Sequence, residues 1–151
     1  MTAALLLLGA SLFSPPPSSP ARDTQSPPAS SGFVEVGDAR LYYEETGEGP
    51  PLVLLHGGFL DTRMWDPQVQ AFAQHYRVIR YDARNHGRSR GVPGEYSHYG
   101  DLLAVLDHLE IQKATLVGLS LGGRTIIDLA IAHPDRVSTI VLVSPGAGGY
   151  E

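Results

Sequence analysis

The sequence predicts an α/β fold: a mostly parallel sheet, opened by an antiparallel hairpin, with helices on both faces. The continuous apolar run at 51–55 has the length and composition of a strand that is covered on both faces, and the stretches 77–81, 114–117 and 137–143 are also predicted to be strands. Stretches with apolar residues at helical intervals separate these strands. Strands and helices that alternate in this way form parallel sheets with right-handed crossovers, and their ligand sites lie at the carboxyl ends of the strands.

Composition limits the classes of protein that the chain can represent. Its 151 residues, 42% of them hydrophobic, are enough for one globular domain. The formal charge of −5 shows no basic surplus, so we expect neither nucleic acid nor an anionic membrane surface as a partner. There is no cysteine, which excludes disulfides, thiolate metal sites and a cysteine nucleophile.

The first 31 residues are expected to lie outside the fold. Residues 1–13 are apolar enough for a signal peptide but too few to span a bilayer, and they lack the usual basic residue. The alternatives are an exported protein, periplasmic or secreted, and a cytoplasmic protein with an artefactual upstream start. Residues 14–31 are rich in Pro, Ser and Ala and are predicted to be a linker. The folded domain should therefore begin near Gly32 and extend over 32–151.

The remaining elements follow in a regular order. Gly37 and Asp38 separate the two strands of the opening hairpin. Asp66-Pro67 can cap or restart the first helix. In chain order the prediction is strands at 33–36, 40–45 and 51–55, a helix at 62–75, a strand at 77–81, a helix at 101–111, a strand at 114–117, a helix at 124–133 and a strand at 137–143.

The stretch 117–123 carries the main functional signal. Ser120 stands between an apolar strand and a helical stretch, so its side chain is expected to project from a strained turn at the carboxyl edge of the sheet. Side chains in place of Gly118 or Gly122 would collide across such a turn, and Gly123 is expected to let the helix pack close to the strand. The spacing Gly-x-Ser-x-Gly in this context indicates a nucleophile elbow. The alternative is a glycine-rich turn with a bystander serine.

Over residues 33–151 the sequence resembles the N-terminal part of an α/β-hydrolase of the esterase and haloperoxidase-like branch. A serine nucleophile needs a base, and its attack on an ester needs donors for the oxyanion. The backbone N–H of Leu121, at the start of the helix, can be one donor. The stretch 56–59 resembles the His-Gly stretch of the family, which implies the N–H of Gly58 as the second donor, with Phe59 the next candidate. The Phe59 ring either walls an acyl pocket or belongs to the core.

Two further histidine-containing stretches are interpreted as structural. His56 is expected to hold its loop by hydrogen bonds to backbone, the alternative being a general base. Residues 81–89 resemble the Asp-x-Arg-Gly-x-Gly-x-Ser loop of this branch, in which we interpret Asp82 and Arg84 as loop architecture. Asn85 replaces the usual first glycine there, and asparagine tolerates positive φ. The other histidines, expected to be solvent-exposed and without metal-ligand spacing, are His75, His98, His108 and His133.

The triad partners of Ser120 are not evident. In the family the acid and then the histidine follow the serine. Here only His133 follows, about 20 Å away at the far end of the predicted helix, and Glu151 is the one acid after the last strand. We therefore expect a truncated hydrolase that is inactive alone. Its strand at 137–143 should be an apolar edge, which predicts aggregation or marginal stability.

The resemblance implies a serine hydrolase that cleaves a carboxylic ester or a related acyl bond of a small molecule through an acyl-enzyme. It implies no cofactor and no metal ion. Lactonase, carbon–carbon hydrolase, acyltransferase and perhydrolase activities remain open, whereas epoxide hydrolases and dehalogenases carry an aspartate at the elbow. The alternatives of another class are a non-catalytic, hydrolase-like binding module and a non-functional fragment. The oligomeric state is left open.

Overall fold

The computed structural model describes residues 29–145, which form one six-stranded sheet with three α-helices. The predictions for residues 1–13, for residues 14–28 and for Glu151 lie outside the described residues. The strands are β1 Ala29–Val36, β2 Ala39–Thr46, β3 Pro51–Leu55, β4 Arg77–Tyr81, β5 Ala114–Leu119 and β6 Val137–Val143, and the helices are α1 Asp66–Phe72, α2 His98–His108 and α3 Leu121–Ala132. The strand order across the sheet is β1-β2-β4-β3-β5-β6.

The antiparallel hairpin and the parallel remainder of the sheet are both confirmed. Strand β1 pairs with β2, and β2 pairs with β4, in antiparallel register. The pairs β3–β4, β3–β5 and β5–β6 are all parallel. All of the parallel strands therefore end at one edge of the sheet, where the loops that follow β3, β4 and β5 meet.

Helices cover both faces of the sheet, as predicted. One core cluster joins α2 and α3 to the sheet through buried side chains such as Leu102, Leu106 and Leu129. A second cluster on the other face joins Trp65 and Val69 to β3 and β4. The continuous apolar composition of β3 follows from these two layers, because Leu52 and Leu54 belong to one cluster and Val53 and Leu55 to the other.

The first strand begins earlier than expected. The composition of residues 29–31 predicts a linker, but these residues belong to β1, where Ala29 pairs with Thr46 and Ser31 pairs with Glu44. Alanine and serine have little preference for strands, so their composition gave no sign of this pairing. The backbone ladder offered by β2 determines the strand boundary.

The helices differ from their predicted limits for local reasons. The stretch 62–75 is a 3-10 turn, Thr62–Trp65, followed by α1, with Pro67 in the first turn of that helix. Helix α2 begins three residues early because the hydroxyl of Ser97 caps it by accepting the N–H of Gly100 at 2.8 Å. Helix α3 begins directly after Ser120 and therefore includes Gly122 and Gly123.

Strand β6 is the edge of the sheet within the described residues, as expected, and its side chains are largely exposed. Ile140, Val141, Leu142 and Val143 keep between 37% and 46% of their surface in contact with solvent. A sequence of this kind is typical of a strand covered on both faces. No helix in the described part of the chain has the length and apolarity that a membrane crossing requires.

Candidate active site

Ser120 occupies a strained backbone position between β5 and α3. Its φ of 48° and ψ of −106° lie outside the regions that residues with a side chain normally adopt, and such strain costs about 1–3 kcal/mol. The N–H of Ser120 donates to the carbonyl of Val143 at 3.0 Å, which anchors the turn to β6. The side chain is exposed. This is the sharp strand-to-helix bend that the Gly-x-Ser-x-Gly spacing predicts.

The glycines beside Ser120 make the bend sterically possible. A Cβ at Gly118 would lie 2.5 Å from the carbonyl carbon of Gly122, so the two positions face each other across the turn. A Cβ at Gly122 would lie 2.6 Å from the Cβ of Leu55 on β3. At Gly123 the nearest atom would be 3.1 Å away, on Pro145. The carbonyl oxygen of Gly118 on β5 would lie 3.3 Å from a Cβ at Gly123, so the helix approaches the sheet closely at Gly123 and still more closely at Gly122.

The amide of Leu121 is one of the predicted oxyanion donors. Leu121 is the first residue of α3, where backbone N–H groups have no partner within the helix. Between residues 29 and 145 it has no hydrogen-bond acceptor, whereas the next amide, of Gly122, donates to the carbonyl of His56 at 3.1 Å. The positive end of the helix therefore leaves one free donor directly beside Ser120.

The second predicted donor lies in the turn after β3. The N–H of Leu60 donates to the carbonyl of Gly57 at 3.2 Å, so Gly58 and Phe59 are the central residues of this turn. Neither of their amides has an acceptor among residues 29–145. The hydrogen bond between Gly122 and His56 ties this turn to the start of α3. The structure thus leaves both predicted candidates, Gly58 and Phe59, available as donors in the loop joined to the elbow.

Phe59 is not part of the core. Its side chain is fully exposed, at 103%, and its φ of 63° is positive. An aromatic residue that is both strained and exposed gains nothing from packing in this state. Of the two alternatives for this ring, burial in the core is therefore wrong.

His56 is structural, as interpreted from the sequence. Its Nε2 accepts the N–H of Ala83 at 2.9 Å, so its Nδ1 must carry the proton and donate to the carbonyl of Gly57 at 2.7 Å. The side chain is buried, and burial lowers the pKa of His56 because the imidazolium would lose its hydration. Both ring nitrogens are occupied, which leaves none to accept a proton from Ser120.

The loop after β4 is held by buried polar contacts. The carboxylate of Asp82 accepts the N–H of Thr62 and the N–H of Arg88, each at 2.7 Å. The hydroxyl of Ser89 donates to the carbonyl of Asp82 at 2.6 Å. Asn85 has a φ of 62°, as its place in the motif predicts. These contacts support the interpretation of Asp82 as architecture.

Arg84 makes the one buried ion pair of this region, and no local sequence pattern predicts it, because its partners lie far from it along the chain. Its guanidinium donates to both carboxylate oxygens of Asp101, at 3.0 and 2.7 Å, and to Asp38 at 2.8 Å. The side chains of Arg84 and Asp101 are 6% and 3% exposed. The network joins the hairpin turn, the loop after β4 and helix α2. It raises the pKa of Arg84, chiefly through the hydrogen bonds to Asp101.

The remaining histidines only partly match the expectation of solvent exposure. His75 and His108 are exposed, but His98 and His133 are half-buried. Burial lowers the pKa of His98. Ser120 directly precedes α3 and His133 directly follows it, so the whole helix, about 18 Å long, separates them. Among residues 29–145 no three potential metal ligands form a cluster.

Comparison with known proteins identifies the fold family of the chain. A family model described as the alpha/beta hydrolase fold matches residues 50–148. A pimeloyl-[acyl-carrier protein] methyl ester esterase of Nitrosospira multiformis is 38% identical over 114 residues, which cover 72% of this chain and 43% of the esterase. The 3-oxoadipate enol-lactonase 2 of Acinetobacter baylyi is 37% identical over 115 residues, 73% of this chain and 43% of the lactonase.

Solved structures give the same match. The enol-lactonase from Burkholderia xenovorans superimposes with a TM-score of 0.69 at 39% identity, over 72% of this chain and 45% of the lactonase. An N-acyl homoserine lactone degrading enzyme superimposes with a TM-score of 0.73, also at 39% identity. The match covers 76% of this chain and 46% of the chain of that enzyme. The chain thus spans less than half the length of the relatives it matches.

Proposed function

Because the chain belongs to the alpha/beta hydrolase fold family, we propose that it is a serine hydrolase that cleaves a carboxylic ester or a related acyl bond of a small molecule. Ser120 is the nucleophile. The observation that carries the proposal is the exposed, strained position of Ser120 directly before the free amide of Leu121.

In the proposed reaction the hydroxyl oxygen of Ser120 bonds to the substrate carbonyl carbon while a base takes the hydroxyl proton. The carbonyl oxygen becomes an oxyanion, which receives the N–H of Leu121 and the N–H of Gly58 or Phe59. Each such donor is worth about 3 kcal/mol in the transition state. The tetrahedral intermediate then expels the alcohol, which takes the proton from the base, and water hydrolyses the acyl-enzyme.

We propose that the proton acceptor lies outside the described residues, because in the family the acid and the histidine follow the serine in later loops. His56 uses both ring nitrogens in hydrogen bonds, and His133 lies at the opposite end of α3 from Ser120. The hydrogen bonds that histidines make among residues 29–145 include none to the hydroxyl of Ser120.

The relatives support an ester or lactone as the substrate class. Their names include a methyl ester esterase and an enol-lactonase. Esters and lactones present the same electrophilic carbonyl, so an elbow serine with an oxyanion hole suits both. No step of the proposed reaction requires a cofactor.

A non-catalytic binding module is the second candidate function. In its favour, none of the hydrogen bonds that histidines make among residues 29–145 reaches the hydroxyl of Ser120. Such a module would keep the oxyanion donors as a binding site for a carbonyl or carboxylate group.

Covalent labelling of the full-length protein with a fluorophosphonate separates the two candidates. The serine oxygen of a hydrolase displaces fluoride and keeps the phosphonyl group, which mass spectrometry locates. We expect label on Ser120, none after Ser120→Ala, and unchanged labelling after Ser138→Ala, which alters an exposed serine on β6. Absence of label on Ser120 in the folded full-length protein would contradict the hydrolase and favour the binding module.

A further inference from the structure

A cavity of about 400 Å³ opens beside Leu121, between the amino-terminal ends of α2 and α3. One wall of the cavity consists of residues 96–99. The other wall consists of four residues of α3: Leu121, Arg124, Thr125 and Asp128. We propose that this cavity is an anion subsite in which Arg124 binds a carboxylate on the acyl part of the substrate. The inference rests on the proposed function and makes the substrate a monoester of a dicarboxylic acid, or a lactone of a hydroxy-dicarboxylic acid that keeps one carboxylate free.

Arg124 stands one turn beyond the nucleophile on the same helix, and it lines the cavity together with Leu121. Its N–H donates to the carbonyl of Ser120 at 3.0 Å, so it stands one helical turn, about 6 Å, further along the axis. An acyl chain whose carbonyl sits at the bend can therefore place a second carboxylate, separated by about three methylene groups, near the guanidinium.

The guanidinium of Arg124 is available to a ligand. Half of its side-chain surface is exposed, and the one ion pair recorded for it among residues 29–145 is with Asp128, 3.8 Å away on the next turn. Exposed pairs at this spacing contribute only a few tenths of a kcal/mol. A carboxylate can displace so weak a partner, and its two oxygens match the paired donors of the guanidinium.

Aromatic rings give the cavity the apolar walls that a methylene chain requires. Tyr96 and Tyr99 both line it. The guanidinium of Arg84 lies 4.7 Å from the centre of the Tyr96 ring, and the ring of His98 packs edge-on against it at 5.1 Å. The Tyr96 ring is thus held in place by the buried Arg84–Asp101 network.

The pairing of Arg124 with Asp128 makes the proposal sharply testable, since the two residues should act in opposite directions. Arg124→Gln removes the cation that attracts the carboxylate. Asp128→Asn removes the anion that competes for Arg124 and repels the ligand. A merely structural role for this ion pair would make both substitutions act alike.

The experiment measures binding by titration calorimetry in the full-length protein carrying Ser120→Ala, which cannot turn over an ester. The probes are monomethyl glutarate and the neutral dimethyl glutarate. We expect the monomethyl ester to bind more tightly, Arg124→Gln to weaken its binding about tenfold, and Asp128→Asn to strengthen it about threefold. Binding of dimethyl glutarate should not change. Arg40→Gln, at a similarly exposed arginine paired with Glu35 in the hairpin, is the matched control and should have no effect.

Equal binding of the two esters, or equal effects of Arg124→Gln and Arg40→Gln, would overturn the subsite. This failure differs from failure of the proposed function. If Ser120 takes the fluorophosphonate label but Arg124 does not affect glutarate binding, only the subsite is wrong. If Arg124 governs binding but Ser120 does not label, the cavity belongs to a binding module.

Discussion

The carbonyl of His56 accepts the N–H of Gly122 at 3.1 Å, which fastens the loop after β3 to the first turn of α3. Gly58 follows His56 by two positions and Leu121 precedes Gly122, so this one hydrogen bond holds the two groups of proposed oxyanion donors together. Such donors act only when they are already in place as negative charge develops. The spacing of the donors thus depends on how closely Gly122 approaches β3.

Gly122→Ala should disable the elbow. The added Cβ would lie 2.6 Å from the Cβ of Leu55, so α3 must move away from the sheet and carry Leu121 with it. We expect fluorophosphonate labelling of Ser120 in the full-length protein to slow at least about tenfold, as expected for a lost oxyanion donor. Gly58→Ala is the control, because nothing lies within 4 Å of a Cβ there and the amide remains. Equal labelling rates for the two variants would refute the steric argument.

Asp101→Ala should destabilise the protein by about 3 kcal/mol, because it leaves the buried guanidinium of Arg84 without its main partner. Urea unfolding measures this loss. Glu35→Ala serves as the comparison, since it breaks the exposed pair with Arg40 and should cost less than about 1 kcal/mol. If the two substitutions shift the unfolding midpoint by the same amount, the Arg84 network does not organise the fold.

His56 should make the protein less stable in mild acid. Burial lowers its pKa in the folded state, whereas in the unfolded chain it titrates near its ordinary value of 6.5. As the pH falls below that value the unfolded chain takes up the proton first, so the free energy of unfolding decreases until the pH reaches the folded pKa. The stability that neutral His56 contributes is fully present when the pH is above the pKa of His56 in the unfolded chain.

Urea unfolding at about pH 7.5 and about pH 5.5 measures this effect. The decrease in stability should be smaller for His56→Gln than for the unsubstituted protein. His98, whose pKa burial also lowers, is present in both proteins and contributes equally to each. An identical decrease would mean that His56 is not held neutral by the fold.

Strand β6 should make the 151-residue chain associate with itself. It presents the exposed side chains of Ile140, Val141, Leu142 and Val143 at the edge of the sheet. Val141→Lys should therefore lower light scattering at micromolar concentration, because a charge on an edge strand opposes pairing with another chain. Ile131→Lys, at a more exposed apolar residue on α3, should have little effect. Monomeric behaviour of the unsubstituted chain would contradict this expectation.

The sequence predicted the bend at Ser120 well because the requirement is local. Gly118 and Gly122 are needed wherever a strand turns into a helix within one residue, whatever surrounds the turn. The order and direction of the strands were predictable for a related reason, since alternating strands and helices allow few arrangements.

Features that depend on distant partners were not predictable. The contact of Arg84 with Asp101 joins residues 17 positions apart and exists only once α2 packs beside the loop after β4. The start of β1 at Ala29 depends on the ladder with β2, against the low strand preference of alanine and serine. Phe59 is fully exposed and has a positive φ, and its residue type suggests neither.

The most direct measurement is the structure of the full-length protein after reaction with a fluorophosphonate, because the bound phosphoryl oxygen stands where the oxyanion would. We predict a covalent bond to the Oγ of Ser120, with the phosphoryl oxygen about 3 Å from the amide nitrogen of Leu121 and from that of Gly58 or Phe59. Attachment to another residue, or a phosphoryl oxygen turned away from these amides, would contradict the account.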